Sequence, residues 1–221
     1  MTRIRAYLSF IALLILLLVA SSLGISAQAP GSLTVAFIDV GQGDSALLKT
    51  TDGEHILVDA GPRYAGPTVV AYLDEHEVDM VDVVVISHAH ADHIGGLVDL
   101  FQSPISVGAV IYNGLPCNTT VCAAVWSEME ARGLTPTPAV AAQTHSWGSL
   151  DGVVFNPQPT PRGDQNEDSV VMVVIYGETR FLFTGDIGTT TESVLLSEGM
   201  SLAADILKVA HHGSRHSSSK D

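Results

Sequence analysis

The chain alternates between two hydrophobic periods. Leu33 to Val40 (LTVAFIDV) reads as a buried strand that runs into the loop Gly41-Gln42-Gly43-Asp44. Ser45 to Lys49 and His55 to Val58 read as short strands around the turn Thr51-Asp52-Gly53. From Thr68 to His76 the apolar Val69, Val70, Tyr72 and Leu73 share a helical face. Val81 to Ile86 (VDVVVI) is β-branched at every position but Asp82, the pattern of a strand buried on both faces, and Ile94 to Phe101 is expected to begin a helix. Beyond it the pattern gives a strand at Val107–Tyr112, a helix at Ala123–Arg132, and weaker strands at Thr135–Ala142 and Val153–Asn156. Ser169–Tyr176 and Arg180–Thr184 form a hairpin around Gly177-Glu178. A helix at Thr190–Glu198 and a strand at Ala204–Val209 close the series. Strands, hairpins and helices in this mixture indicate a layered α/β domain rather than a doubly wound parallel sheet.

The ends of the chain carry different signals. Arg3 and Arg5 precede an apolar stretch from Tyr7 to Ala20, and small residues lead to Ala27-Gln28-Ala29. That stretch is short of the roughly 20 residues a bilayer span needs. Residues 1–29 therefore read as a cleaved signal peptide, with an uncleaved membrane anchor through residues 7–20 as the alternative. Both put the body, residues 30–221, outside the cytoplasm as one domain. The C-terminal stretch from His211 to Asp221 (HHGSRHSSSKD) has no further apolar segment, so a covering helix is expected to be missing through truncation.

Charge narrows the partners. The chain has 24 acidic and 10 basic residues; without Arg3 and Arg5 the formal charge is −16. Such a body is a poor surface for gripping long duplex DNA, because phosphate backbones are held mainly by Lys and Arg. Cys117 and Cys122 lie in a turn-rich segment and are read as structural, either closing a small loop disulfide or remaining free thiols.

The decisive feature is His88-x-His90-x-Asp92-His93 at the exit of the VDVVVI strand. Four potential metal ligands in six residues, where an α/β sheet presents its loops, form a metal-site arrangement. Imidazole with carboxylate suits zinc, with manganese or iron as alternatives. A tight turn can aim His88 and His90 one way and Asp92 and His93 the other, serving two ions. Asp186 follows the strand FLFTG, and His211-His212 follow ILKVA. All three groups end apolar strands and can converge at one sheet edge.

These motifs resemble the metallo-β-lactamase-fold hydrolases, and within them the branch of the DNA-uptake competence proteins. The resemblance runs from VAFIDVGQGDSALL and HILVDAG through ISHAHADHIGGL to NEDSVVMVVIYGETRFLFTGD and LKVAHHGSRHSSS. It implies an αββα four-layer sandwich with one or two Zn²⁺ ions, or Mn²⁺, at one edge. By the same resemblance His88 and His90 hold one ion, Asp92 and His93 the other, and Asp186 bridges them. One of His211 and His212 completes the second ion, with His212 favoured. Most of the superfamily has a further His before the strand leading to the bridging Asp. Here that loop is Asp164-Gln165-Asn166-Glu167-Asp168, which leaves Asn166 or Asp168 to reach the first ion. His145 is the other histidine available to that ion, and it reads as a surface residue.

The implied chemistry is hydrolysis by a metal-activated water, which Asp92 orients or deprotonates while His211 steadies charge on the substrate. The expected substrate is a phosphodiester, as a small anionic ester or a nucleic-acid end. The alternatives are a lactone, thioester or phosphorylcholine ester, or a binding protein with a degraded metal site.

Overall fold

The computed structural model describes residues 31–219. The expected signal or anchor at residues 1–29 and the chain's last two residues lie outside that range. Among the described residues no helix is long and apolar enough to cross a membrane.

Two sheets are packed face to face. The first is ordered β1 (Leu33–Phe37), β2 (Ala46–Thr50), β3 (His55–Val58), β4 (Met80–Val85), β5 (Ser106–Tyr112) and β6 (Thr137–Pro138). Its β1–β2–β3 portion is antiparallel and its β3–β4–β5–β6 portion parallel. The second sheet runs β11 (Ile206–Lys208), β10 (Thr179–Phe183), β9 (Val171–Tyr176), β8 (Leu150–Asn156) and β7 (Thr144–Trp147), with only β10–β11 parallel.

The period-two pattern sorts side chains between layers. Leu48, Ile56, Val83 and Val85 meet Leu150, Val154, Met172 and Phe183 between the sheets. Leu47, Leu57, Val81 and Val84 point the other way, under α1 (Gly66–Glu75), α3 (Leu97–Gln102) and α4 (Thr120–Ala131). On the outer face of the second sheet, Val171, Val173 and Leu182 are covered by Leu195 of α5 (Thr189–Ser197). The layers are therefore helix, sheet, sheet, helix, as expected.

Three local expectations need correction. The helix expected from Ile94 to Phe101 is split into α2 (Ala91–Ile94) and α3 by Gly95 and Gly96. There the chain passes so close to its neighbours that a Cβ on Gly96 would lie 2.0 Å from the Ala60 carbonyl oxygen. The strand expected over Thr135–Ala142 shrinks to two residues, because Pro136 and Pro138 have no amide to donate. Thr144–Trp147 is a strand that the pattern did not announce, since only one strongly apolar residue stands in it; it pairs with β8 across Gly148-Ser149. His145 lies on this strand, stacked 5.1 Å from Trp147.

Cys117 and Cys122 form a disulfide with Cα atoms 6.0 Å apart, settling the open choice between bridge and thiols. Both sulfurs contact the carbonyl oxygen of Ala89, at 3.5 and 3.4 Å, so the bridge sits directly behind the His88–His90 turn. Closing so short a loop stabilises by about 2 kcal/mol in the chain-entropy account. A Cys117→Ser/Cys122→Ser double variant is expected to lose about that much in urea unfolding. Unchanged stability would show the bridge to be idle.

Candidate metal centre

The ends of β3, β4, β10 and β11 lie at one edge of the sandwich, and each delivers a polar side chain there. After β3, Asp59 turns the chain with φ 56°, a left-handed conformation that Asp tolerates better than most residues. Its carboxylate accepts the Ser87 amide at 2.7 Å, the Ser87 hydroxyl at 2.6 Å and His93 Nδ1 at 2.8 Å. These bonds fix the ring of His93, so that Nε2 faces Asp186 Oδ2 at 3.3 Å. Asp186 follows β10, and its amide donates to Ser169 Oγ.

The turn after β4 carries His88 and His90. His88 is fully buried, with Nε2 3.0 Å from His90 Nδ1 and 3.8 Å from Asp186 Oδ2. After β11 the chain makes an unusual turn in which His211 and His212 both have positive φ. His212 points inward, its Nε2 3.3 Å from Asp92 Oδ2 and 3.5 Å from Asp186 Oδ2. His211 stays nearer the rim, 3.9 Å from the same carboxylate. Asp44, from the loop after β1, meets His212 Nδ1 at 3.2 Å.

Asp44, His93, Asp186 and His212 each offer a ligand atom, and these atoms lie within 4.8 Å of one another. His93 Nε2 and Asp186 Oδ1 are buried without any hydrogen-bond partner, although buried polar atoms are nearly always paired. A divalent cation would supply the missing partner, and the imidazole and carboxylate donors suit one. The residues fit the metal that the sequence motifs call for.

The loop before β9 supplies further polar groups. Asp168 accepts with its carboxylate from the amides of Arg162, Gly163 and Asp164. Asn166 Oδ1 is buried and unpartnered, but no hydrogen bond joins it to the histidines. Gln165, from the same loop, accepts the Ala89 amide at 3.1 Å and braces the His88–His90 turn. Sequence reasoning missed Asp59 as the His93 anchor and Asp44 as a member of the group. The signal for Asp59 was a carboxylate directly after the apolar run HILV.

Electrostatics follow from the packing. Burial opposes charge on His93, but the carboxylates of Asp59 and Asp186 outweigh it and raise its pKa to about 10. Burial, then His93, push His88 well below its ordinary value. Burial raises Asp59, against the pull of His93. For Asp186 burial acts upward, yet His93, His88 and His212 together hold the carboxyl well below the usual range. Without metal, His93 thus carries a proton that an ion must displace. The folded pKa of about 10 lies above the unfolded value, so this proton stabilises the metal-free fold fully below pH 6.5. That stabilisation is lost as pH rises through about 10. The melting temperature of chelated protein is expected to fall over this range, while that of metal-loaded protein stays level or rises. Parallel profiles with and without metal would refute the placement of that proton.

Residues 38–221 match the family model described as the Metallo-beta-lactamase superfamily. The chain belongs to the metallo-beta-lactamase superfamily. This is a hydrolase superfamily whose fold binds divalent metal, in keeping with the centre above. The chain is 31% identical over 183 residues to competence protein ComA of Neisseria gonorrhoeae, covering 82% of this chain and 24% of that protein. It spans about a quarter of the length of the curated relatives it matches over most of its own length. A stretch of 72 residues, 30% of the chain, is 35% identical to endoribonuclease ysh1 of Schizosaccharomyces pombe, covering 10% of that protein. The solved structure of MEM-A1, a subclass B3 metallo-beta-lactamase from a soil metagenome library, matches with a TM-score of 0.54 at 15% identity. That match covers 83% of this chain and 77% of the other, and it is a likeness of fold alone.

Proposed function

We propose that the chain is an exported metal-dependent hydrolase of phosphodiester bonds, acting on small esters or nucleic-acid ends. The observation that carries this reading is the convergence of Asp44, His93, Asp186 and His212 around two buried, unpartnered ligand atoms, with Asp92 3.3 Å from His212 Nε2. In it Asp92, His93 and His212 would hold one Zn²⁺ or Mn²⁺ ion, His88 and His90 with Asn166 would hold a second, and Asp186 would serve both. Bound there, such ions supply Lewis acidity, acidifying water and polarising the scissile ester. The chain's own residues do the rest. Asp92, a third exposed at its side chain, orients the attacking water and takes its proton. His211, at the rim, steadies the developing charge and protonates the leaving oxygen.

Substrate size follows from charge. Lys208, beside the centre, is paired with Asp44 at 2.7 Å, so this cation is already engaged rather than open to a long polyanion. The phosphodiester assignment draws on the similarity to a competence protein and an endoribonuclease. Export draws on residues 1–29 and on the disulfide, which persists in oxidising compartments.

A panel of bis-p-nitrophenyl phosphate, single-stranded DNA and a lactone tests the reading. Cleavage of the phosphate ester with added Mn²⁺ or Zn²⁺, stopped by chelator, is the expected result. Hydrolysis of the lactone alone would overturn it.

A further inference from the structure

We infer that Asp44 is a positioning residue for His212, and that Lys208 pins Asp44 in that role. The inference rests on the proposed metal-binding role of His212. Asp44 Oδ1 lies 3.2 Å from His212 Nδ1, and Lys208 Nζ lies 2.7 Å from the other oxygen, Oδ2. The Lys208 ammonium is itself tethered by the Val209 carbonyl at 2.9 Å. The carboxylate is thus gripped on both oxygens, one by the ring it steers and one by a fixed cation. The peptide of Asp44 is fixed as well: its amide donates to the Asp92 carbonyl at 3.3 Å, and its carbonyl accepts from Gly61 at 2.8 Å.

His212 has particular need of such a hold. It and His211 are consecutive non-glycine residues with φ near +50°, and Gly213 follows at φ 78°. Backbone of this kind persists only where the surroundings over-determine it. With Nδ1–H donated to Asp44, the lone pair of Nε2 must face Asp92 and Asp186, 3.3 and 3.5 Å away. A carboxylate behind a ligand imidazole selects its tautomer and ring orientation, and losing such a partner typically weakens metal binding 10- to 100-fold. Asp44 and His212 are 168 positions apart and come from different sheets, so the contact also ties the β1–β2 loop to the end of β11.

The test uses the whole chain with Zn²⁺ in competition with a chromogenic chelator, alongside ¹⁵N-histidine spectra. Asp44→Ala is expected to weaken one zinc ion about 10- to 100-fold without lowering stoichiometry at saturation. Asp44→Asn, which keeps an acceptor oxygen, and Lys208→Met, which frees the carboxylate, are expected to fall between wild type and Asp44→Ala. In the zinc-loaded wild type, His212, assigned by its loss in His212→Gln, is expected to carry its proton on Nδ1. Wild-type affinity in Asp44→Ala overturns the inference. So does a drop in stoichiometry shared equally by Asp44→Asn and Asp44→Ala, which makes Asp44 a ligand instead. If Asp44→Ala does not fold, the wild-type spectrum decides, and a proton on Nε2 refutes the inference. Wild-type protein that takes up no ion refutes the metal reading beneath it, whereas normal uptake with an unaffected Asp44→Ala refutes this step alone.

Discussion

Asp186→Ala is expected to lower metal-dependent phosphodiester hydrolysis by at least about 1000-fold and to reduce bound metal. The reason is geometric. Asp186 Oδ2 is approached by four histidines, with ring nitrogens at 3.3 Å (His93), 3.5 Å (His212), 3.8 Å (His88) and 3.9 Å (His211). Its other oxygen, Oδ1, is buried with no protein partner to satisfy it. In the proposed ligand set Asp186 serves both ions, so its removal is expected to weaken both. Asp186→Asn keeps the volume and one carbonyl oxygen, so its near-native circular dichroism with the same loss of rate would separate chemistry from folding. Activity within tenfold of wild type in the alanine variant would remove Asp186 from the centre.

What the sequence made legible was whatever sits in one short segment. His88, His90, Asp92 and His93 occupy a single turn, so their spacing alone announces a metal site. Asp186 and His212 could be added because each directly follows an apolar strand. Asp44 and Asp59 carried no such mark: each is a lone carboxylate in a glycine-bearing turn, and such turns are common for structural reasons alone. Their roles depend on contacts made across 168 and 34 positions, which only the closed fold creates. The same division holds for the fold. The β-branched run before the His turn fixed a central strand by its composition, while Thr144–Trp147 became a strand only because β8 lies beside it. Tertiary pairing, not local propensity, decides such a segment.

Asp59→Ala is the substitution with the largest expected effect on stability. Removing this carboxylate leaves the Ser87 amide, the Ser87 hydroxyl and His93 Nδ1 without their acceptor, in a place where Asp59, Ser87 and His93 are all buried. Breaking a buried charged pair from one side typically costs about 3–5 kcal/mol. Alanine also fits the left-handed backbone at φ 56° less well than aspartate does. Urea unfolding of the metal-free protein near neutral pH, where His93 is protonated, should show a loss of that order. Asp59→Asn divides the effect: it tolerates the backbone and keeps one acceptor oxygen, but it removes the charge that holds the His93 proton. Its stability should therefore fall between the two, and the alkaline fall in melting temperature should begin at lower pH than in wild type. Metal affinity should drop in both variants, since the His93 ring loses the bond that aims Nε2. A loss under about 1 kcal/mol in Asp59→Ala, the range of an exposed pair, would mean that His93 is held by packing alone.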